Sequence, residues 1–240
     1  MSVIWNPWHG CIKISEGCKN CYVFREDKKR GIDSSQVNKT KNFDLPLKKK
    51  RNGEYKITTG SRVWTCFTSD FFIEQADNWR PIIWQIIRKR KDLSFFITTK
   101  RVNRIQQCLP EDWGEGYDNV TISCTVENQL QASLRLPEYK RLAIKHKSLL
   151  CEPLLDPIDF EPWLGNWIEF VIVGGESGGN ARTCDFDWIR KIREICIEKG
   201  ITFFFKQTGA NFVKDGIVYK IDRKFQIAQA KKAGIDFTPS

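Results

Sequence analysis

The chain has 240 residues and nine cysteines, with no apolar leader and no apolar run of about eighteen residues, so neither a secreted disulfide scaffold nor a membrane span is expected. A soluble cytoplasmic protein with no membrane partner is the expectation. The 39 Lys and Arg against 29 Asp and Glu give a formal charge of +10 and a pI near 9.2, which favours polyanions such as nucleic acid as partners.

The first apolar stretch, SVIW (residues 2–5), reads as a short strand. It runs into WNPWHGCIKISEGCKNCY (5–22), where Cys11, Cys18 and Cys21 stand within one polar, glycine-bounded segment. Residues 22–61 are the least strand-like part of the chain. REDKKRG and LPLKKKRNGEYKITTG concentrate basic residues there, Lys48, Lys49, Lys50 and Arg51 among them, around an Asn-Gly turn. Such an insertion is either an arm for nucleic-acid phosphates or a solvated loop.

Beyond it, short β-rich runs alternate with helical periodicity. The runs are SRVWTCFTS (61–69), LSFFITTK (93–100), NVTISCTVEN (119–128), HKSLLCEPLL (146–155), WIEFVIVGGES (167–177) and GITFFFKQTG (200–209). Helical spacing appears in QADNWRPIIWQIIRKRK, VENQLQASLRL and DFDWIRKIREICIEKG, the last with an acidic start and a glycine stop. Near-continuous apolar runs are expected of parallel strands covered on both faces. The repeated βα pattern predicts an α/β fold, a partial (β/α) TIM-like barrel of about six to seven parallel strands over residues 1–209. The tail, 210–240, predicts a hairpin around Lys-Asp-Gly and a short basic helix.

Polar residues gather where these strands end: Thr68, Ser69 and Asp70; Thr98, Thr99, Lys100 and Arg101; Glu127 and Asn128; Glu152; Gly174, Gly175 and Glu176; Lys206 and Gln207. The C-terminal strand ends of a parallel barrel share one face and surround one site, although any single such residue more often caps a strand. Three thiolates spaced C-x6-C-x2-C supply three ligands to one centre. A closed structural zinc site wants a fourth, for which His9 is the nearby histidine, whereas a 4Fe-4S cluster held by three cysteines leaves one iron open. Cys66, Cys108, Cys124, Cys151, Cys184 and Cys196 sit in apolar patterns instead and read as small core residues. In GGESGGNAR, a glycine-rich turn exposes N–H groups to a phosphate or carboxylate, and Arg182 adds a bidentate charge; otherwise it is a tight strand-to-loop turn. Gly174, Gly175, Glu176, Arg182 and Gln207 are therefore the candidates to face substrate.

The ordered succession WNP…GC…GC.NCY, SD.F, TKR, VEN, EPLL.PID, VIVGGESG..AR and FFFKQ.G resembles the radical S-adenosylmethionine (SAM) superfamily, and within it a phage and prophage family of uncharacterised radical-SAM-like proteins. The resemblance spans about residue 4 to residue 209. It implies a partial barrel whose first βα loop holds a 4Fe-4S cluster on Cys11, Cys18 and Cys21, with six rather than three residues between the first two ligands. Asn20 stands where the superfamily usually has an aromatic residue near the adenine, and Tyr22 follows the third cysteine. Ser69 and Asp70 end the second strand, where a Gly-Gly-Glu stretch commonly binds the SAM ammonium; this chain's own Gly-Gly-Glu follows the sixth strand. SAM carries a sulfonium, an ammonium and a carboxylate, so Asp70, Glu127 and Glu152 are candidate acceptors and Thr99, Lys100 and Lys206 candidate donors. The implied reaction is one-electron cleavage of SAM to methionine and a 5'-deoxyadenosyl radical that abstracts a substrate hydrogen. A flavodoxin- or ferredoxin-like electron donor and a nucleic-acid or nucleotide substrate go with it. Two other readings stand beside it: a Cys3His zinc module that binds nucleic acid, and a cluster-containing scaffold without catalysis.

Overall fold

Residues 1–239 are described by a computed structural model, whose strands, numbered along the chain, are β1 (Ser2–Trp5), β2 (Trp8–His9), β3 (Asn38–Lys39), β4 (Arg62–Thr65), β5 (Ser94–Thr99), β6 (Val120–Thr125), β7 (His146–Cys151), β8 (Phe170–Gly174), β9 (Thr183–Asp185), β10 (Thr202–Gln207), β11 (Asn211–Lys214) and β12 (Ile217–Lys220). The helices of four residues or more are α1 (Tyr22–Lys29), α2 (Arg80–Lys89), α3 (Ile105–Cys108), α4 (Gln129–Arg141), α5 (Phe186–Glu198) and α6 (Arg223–Lys232). The seven strands expected from the sequence form one sheet in the order β1-β4-β5-β6-β7-β8-β10. Neighbours such as β1 and β4, β4 and β5, β7 and β8, and β8 and β10 run parallel. Chain order equals spatial order apart from the short strands β2, β3 and β9, which is the arrangement of a partial β/α barrel. The covering on both faces is clearest in β6, where all six residues of VTISCT are buried.

The chain divides into two compact units. Unit 1 comprises Met1–Lys13, Val23–Ser123 and Leu142–His146. Its core is aromatic: Trp5, Trp8, Phe71, Phe72, Trp84 and Phe95 are buried, with the Phe71 and Trp84 rings edge to face at 4.9 Å. Helix α2 buries Ile83, Trp84, Ile86 and Ile87 on one stripe, opens with Pro81 in its first turn and ends on Arg88 and Lys89, which suit the negative end of its dipole. A small antiparallel pair, β2 with β3, brings Trp8 opposite Lys39 and His9 opposite Asn38.

Unit 2 comprises Ile14–Tyr22, Cys124–Arg141 and Lys147–Ser240. Helix α5 is capped by Asp185, whose side chain accepts from the Asp187 N–H, and buries Ile189, Ile192 and Cys196. The tail forms the hairpin β11–β12, turning at Asp215 and Gly216, both with positive φ, followed by α6. Strand β9 pairs parallel with β11, making a second sheet in the order β12-β11-β9. The β8–β10 pairing shifts register between Phe205 and Gln207, so Lys206 sits at a bulge. No helix is long and apolar enough to cross a membrane among the described residues.

Candidate functional site

In unit 1, β4 delivers the chain through Cys66, at φ +63°, to Thr68, Ser69 and Asp70. Asp70 is buried; its carboxylate accepts from the Phe72 N–H at 2.9 Å, the Thr99 hydroxyl at 2.8 Å and the Lys100 N–H at 3.0 Å, and is ion-paired with the Arg101 guanidinium at 3.2 Å. The arginine carries the contact onward, donating to the Ile12 carbonyl at 2.7 Å and standing 3.9 Å from the Cys11 sulfur. On the other side of Cys11, the Ser69 hydroxyl donates to the Gly10 carbonyl, and the Cys11 N–H donates to Ser34 at 2.7 Å. Gly10 has φ +98° and a Cβ there would collide with the Gln36 carbonyl, so only glycine admits this turn. Of the expected cofactor residues, Ser69 bonds the Gly10 carbonyl beside Cys11, while Thr99 and Asp70 are linked to that loop through Arg101, the cation facing Asp70. His9 belongs to another cluster: its Nε2 lies 2.8 Å from buried Asp27, which also accepts from Ser34 at 2.6 Å.

In unit 2, Glu16–Cys18 forms a 3-10 turn in which the Cys18 N–H donates to the Ser15 carbonyl at 2.9 Å, and the Cys21 N–H then reaches the Cys18 carbonyl at 3.3 Å. Glu127 lies beneath this turn at 0 % exposure. One of its oxygens accepts from the Ser15 hydroxyl and the other from Arg135, itself buried. A Cβ on Gly17 would collide with the Glu127 side chain, so the turn rests directly on it. The Ser15 oxygen is 3.7 Å from the Cys18 sulfur. The sequence placed Glu127 on the rim as an acceptor for a bound cofactor; in the structure its carboxylate is buried and occupied by Ser15 and Arg135 beneath the cysteine turn.

Glu176 does the same from the glycine-rich turn. Its carboxylate accepts from Asn20 at 3.0 Å and from three Arg182 groups, the backbone N–H at 2.8 Å, Nε at 3.0 Å and Nη2 at 2.6 Å. Asn20 also donates to the Asn180 carbonyl at 2.8 Å, and Arg182 reaches Glu16 at 3.4 Å. Burial raises the Glu176 pKa, but the hydrogen bonds from Arg182 and Asn20 outweigh it and hold the carboxyl below its ordinary value; the Arg182 pKa is raised by the same bond. Asn20, Glu176 and Arg182 are therefore partners of one another, a contact between residues expected at cofactor and substrate. Gly175 is required where it stands, since a Cβ would collide with the Thr208 carbonyl.

Glu152 is more accessible. It accepts from Lys206 at 2.6 Å and from Gln207, two consecutive residues that a regular strand would point to opposite faces. The bulge at Lys206 is what lets both reach one carboxylate. Gly174 faces this pair, its missing side chain leaving room for Gln207 and Glu152. Exposure is 15 % for the Glu152 side chain and 44 % for Lys206. The Tyr22 hydroxyl pKa is pushed well up, first by burial, then by the neighbouring Cys21 and Glu152 charges, against Arg223.

Sequence reasoning missed the braces Ser15, Glu16 and Arg135. The signal for Arg135 was available as a charged residue on the buried side of α4, and Gly17 between polar neighbours was a second. The chemistry of the three thiols suits an iron-sulfur cluster: Cys11, Cys18 and Cys21 are half-buried in polar turns, with the Arg101 guanidinium near the Cys11 sulfur, whereas the other six cysteines are buried, Cys108 against the guanidiniums of Arg80 and Arg104. No group of three or more His, Cys, Asp and Glu side chains is drawn together as a metal-ligand set among the described residues. No curated protein and no solved structure matches the chain. A family described as "Protein of unknown function (DUF5131)" matches residues 1–236, and the chain belongs to that family.

Proposed function

We propose that the chain is a radical SAM enzyme that holds a 4Fe-4S cluster on Cys11, Cys18 and Cys21 and acts on a nucleic acid or nucleotide. The observation that supports this most is the contrast among the nine cysteines: three lie in the polar loop that follows the first strand of a parallel βα sheet, and that loop is braced at Ser15, Glu16 and Asn20. The chemistry a cluster supplies when bound there is one-electron cleavage of SAM. The chain's own residues divide the remaining work. Arg101 holds the Cys11–Ile12 backbone, and the Glu127–Ser15 and Glu176–Asn20 contacts hold the Cys18–Cys21 turn. Glu152, whose partner Lys206 is half in solvent, is the acceptor free to exchange that partner for the SAM ammonium. Lys206, so released, becomes a donor for a carboxylate.

Anaerobic reconstitution tests the reading. Protein so prepared is expected to be brown, with about four irons per chain, and to form 5'-deoxyadenosine from SAM under a strong reductant. Replacing Cys11, Cys18 or Cys21 by alanine should abolish iron binding, while Cys196→Ala should not. Stoichiometric zinc in place of iron would overturn the proposal.

A further inference from the structure

The positive charge of this protein is unevenly placed. Unit 1 carries 22 Lys and Arg against 13 Asp and Glu, a formal +9, whereas unit 2 carries 17 against 16, a formal +1. Within unit 1 the excess lies in residues 23–60, which hold 11 Lys and Arg and 5 Asp and Glu, and all of those basic residues except Arg25 and Lys48 are exposed.

The segment is an ordered platform. Residues 48–56 form a hairpin: the Lys56 N–H donates to the Lys48 carbonyl at 2.8 Å, the Lys50 N–H to Glu54 at 2.8 Å, and the tip closes through the Gly53 N–H to Lys50 at 3.1 Å. Buried Arg90 fastens its two flanks to the core, donating to the Pro46 carbonyl and, at 2.8 Å, to the Ile57 carbonyl, while its guanidinium stacks 4.0 Å from the centre of the Tyr55 ring. Among the described residues no carboxylate pairs with Lys49, Arg51 or Lys56. Cations fixed in place lose less freedom on meeting a polyanion than cations on a mobile tail.

We infer that this hairpin is a docking platform for the phosphate backbone of nucleic acid. That the bound polymer is the enzyme's substrate rests on the reading proposed above; that it binds does not. An anionic membrane is the lesser fit, because an interfacial anchor needs apolar side chains beside its cations, and residues 48–56 offer only Tyr55, already covered by Arg90 and Lys49.

The test is fluorescence anisotropy of short labelled RNA and DNA with the full chain across a salt series. Each phosphate contact contributes about 0.7 to 0.9 to the slope of log affinity against log salt. Replacing Lys49, Lys50, Arg51 and Lys56 together by Gln should lower the slope by about 3 and weaken binding on the order of a thousandfold near 0.1 M salt. The corresponding Lys49, Lys50 and Lys56→Arg variant should keep the slope. Removing equal charge from unit 2, by Arg223, Lys224, Lys231 and Lys232→Gln, should leave it unchanged. Urea midpoints confirm that each variant folds. Equal slope losses from the two quadruple variants would overturn the inference, as would absence of binding near 50 mM salt, or binding to phosphatidylserine vesicles without binding to oligonucleotides. Lost nucleic-acid binding with iron intact refutes this inference alone; absent iron with binding intact refutes the enzyme reading alone.

Discussion

In unit 1 the strand-end carboxylate Asp70 accepts from two backbone N–H groups and a hydroxyl, and its charge faces one guanidinium, Arg101. In unit 2 three glutamates, Glu127, Glu176 and Glu152, each face a cationic side chain, and their side-chain exposure rises from 0 % through 6 % to 15 %. The partners follow the same order, at 7 % for Arg135, 28 % for Arg182 and 44 % for Lys206. Burial decides what such a pair can do. Giving up a buried cation in favour of a ligand would leave a charge in low dielectric without compensation, so Glu127 and Asp70 are fixed supports. A cation that already touches water can be released at little cost, and of these four carboxylates Glu152 has the most exposed partner.

The sharpest way to break this ordering is at its buried end. Glu127→Gln keeps the shape but leaves the Arg135 charge buried and uncompensated. A loss of about 3 to 5 kcal/mol is expected, read from urea unfolding, together with faster amide exchange at Cys18, whose turn rests on Glu127. A loss no larger than that for Glu152→Gln would mean that burial does not rank these pairs.

Glu176 stands next. Removing a hydrogen-bonded charge at this depth costs about 1.5 to 3 kcal/mol, so Glu176→Gln should be intermediate. Its acid dependence supplies an independent check. The folded protein holds the Glu176 carboxyl below the ordinary 4.5, so its contribution to stability is complete above that value and disappears as pH falls through the folded pKa. Between about pH 6 and pH 3 the wild type should therefore lose more unfolding free energy than Glu176→Gln. Parallel curves would show that the carboxylate does not hold Arg182 and Asn20 in solution.

What the sequence disclosed and what it concealed divide along similar lines. Strands such as FVIVG and VTISCT were legible because both faces are covered, which leaves a continuous apolar run. Helix α1 was not, since YVFREDKK buries only Val23 and Asp27 and reads as a charged loop. Strand β9 has three residues, too few for any period to appear. The three thiols stood out by spacing and polarity, and the rim residues by their place at strand ends. Their roles did not, because Ser15 meets Glu127 across 112 residues and Asn20 meets Glu176 across 156, contacts that no local pattern encodes. A glutamate paired in the interior and one paired near the surface look alike until burial separates them.

The smallest expected effect on stability is also the one that bears most directly on function. Glu152→Gln removes the charge facing Lys206, but with that lysine 44 % exposed the pair resembles a surface ion pair, worth about 0 to 1 kcal/mol. Urea unfolding should hardly register it, and the iron content of reconstituted protein should not change, because Glu152 contacts Lys206 and Gln207 and none of the groups that brace the cysteine turn. SAM affinity should respond. A charged hydrogen bond lost at a ligand typically costs about 1.5 to 3 kcal/mol, or roughly ten- to a hundredfold in affinity. Lys206→Met supplies the counterpart: it frees Glu152 from Lys206 while removing what the proposed reading makes a donor to the SAM carboxylate, so its effect should be smaller than that of Glu152→Gln. Calorimetry with SAM on the cluster-loaded variants separates the two roles. Weakened SAM binding with an unchanged unfolding midpoint assigns Glu152 to the ligand; a lowered midpoint with unchanged SAM binding would make it a fourth brace and remove the distinction between the exposed pair and the buried ones.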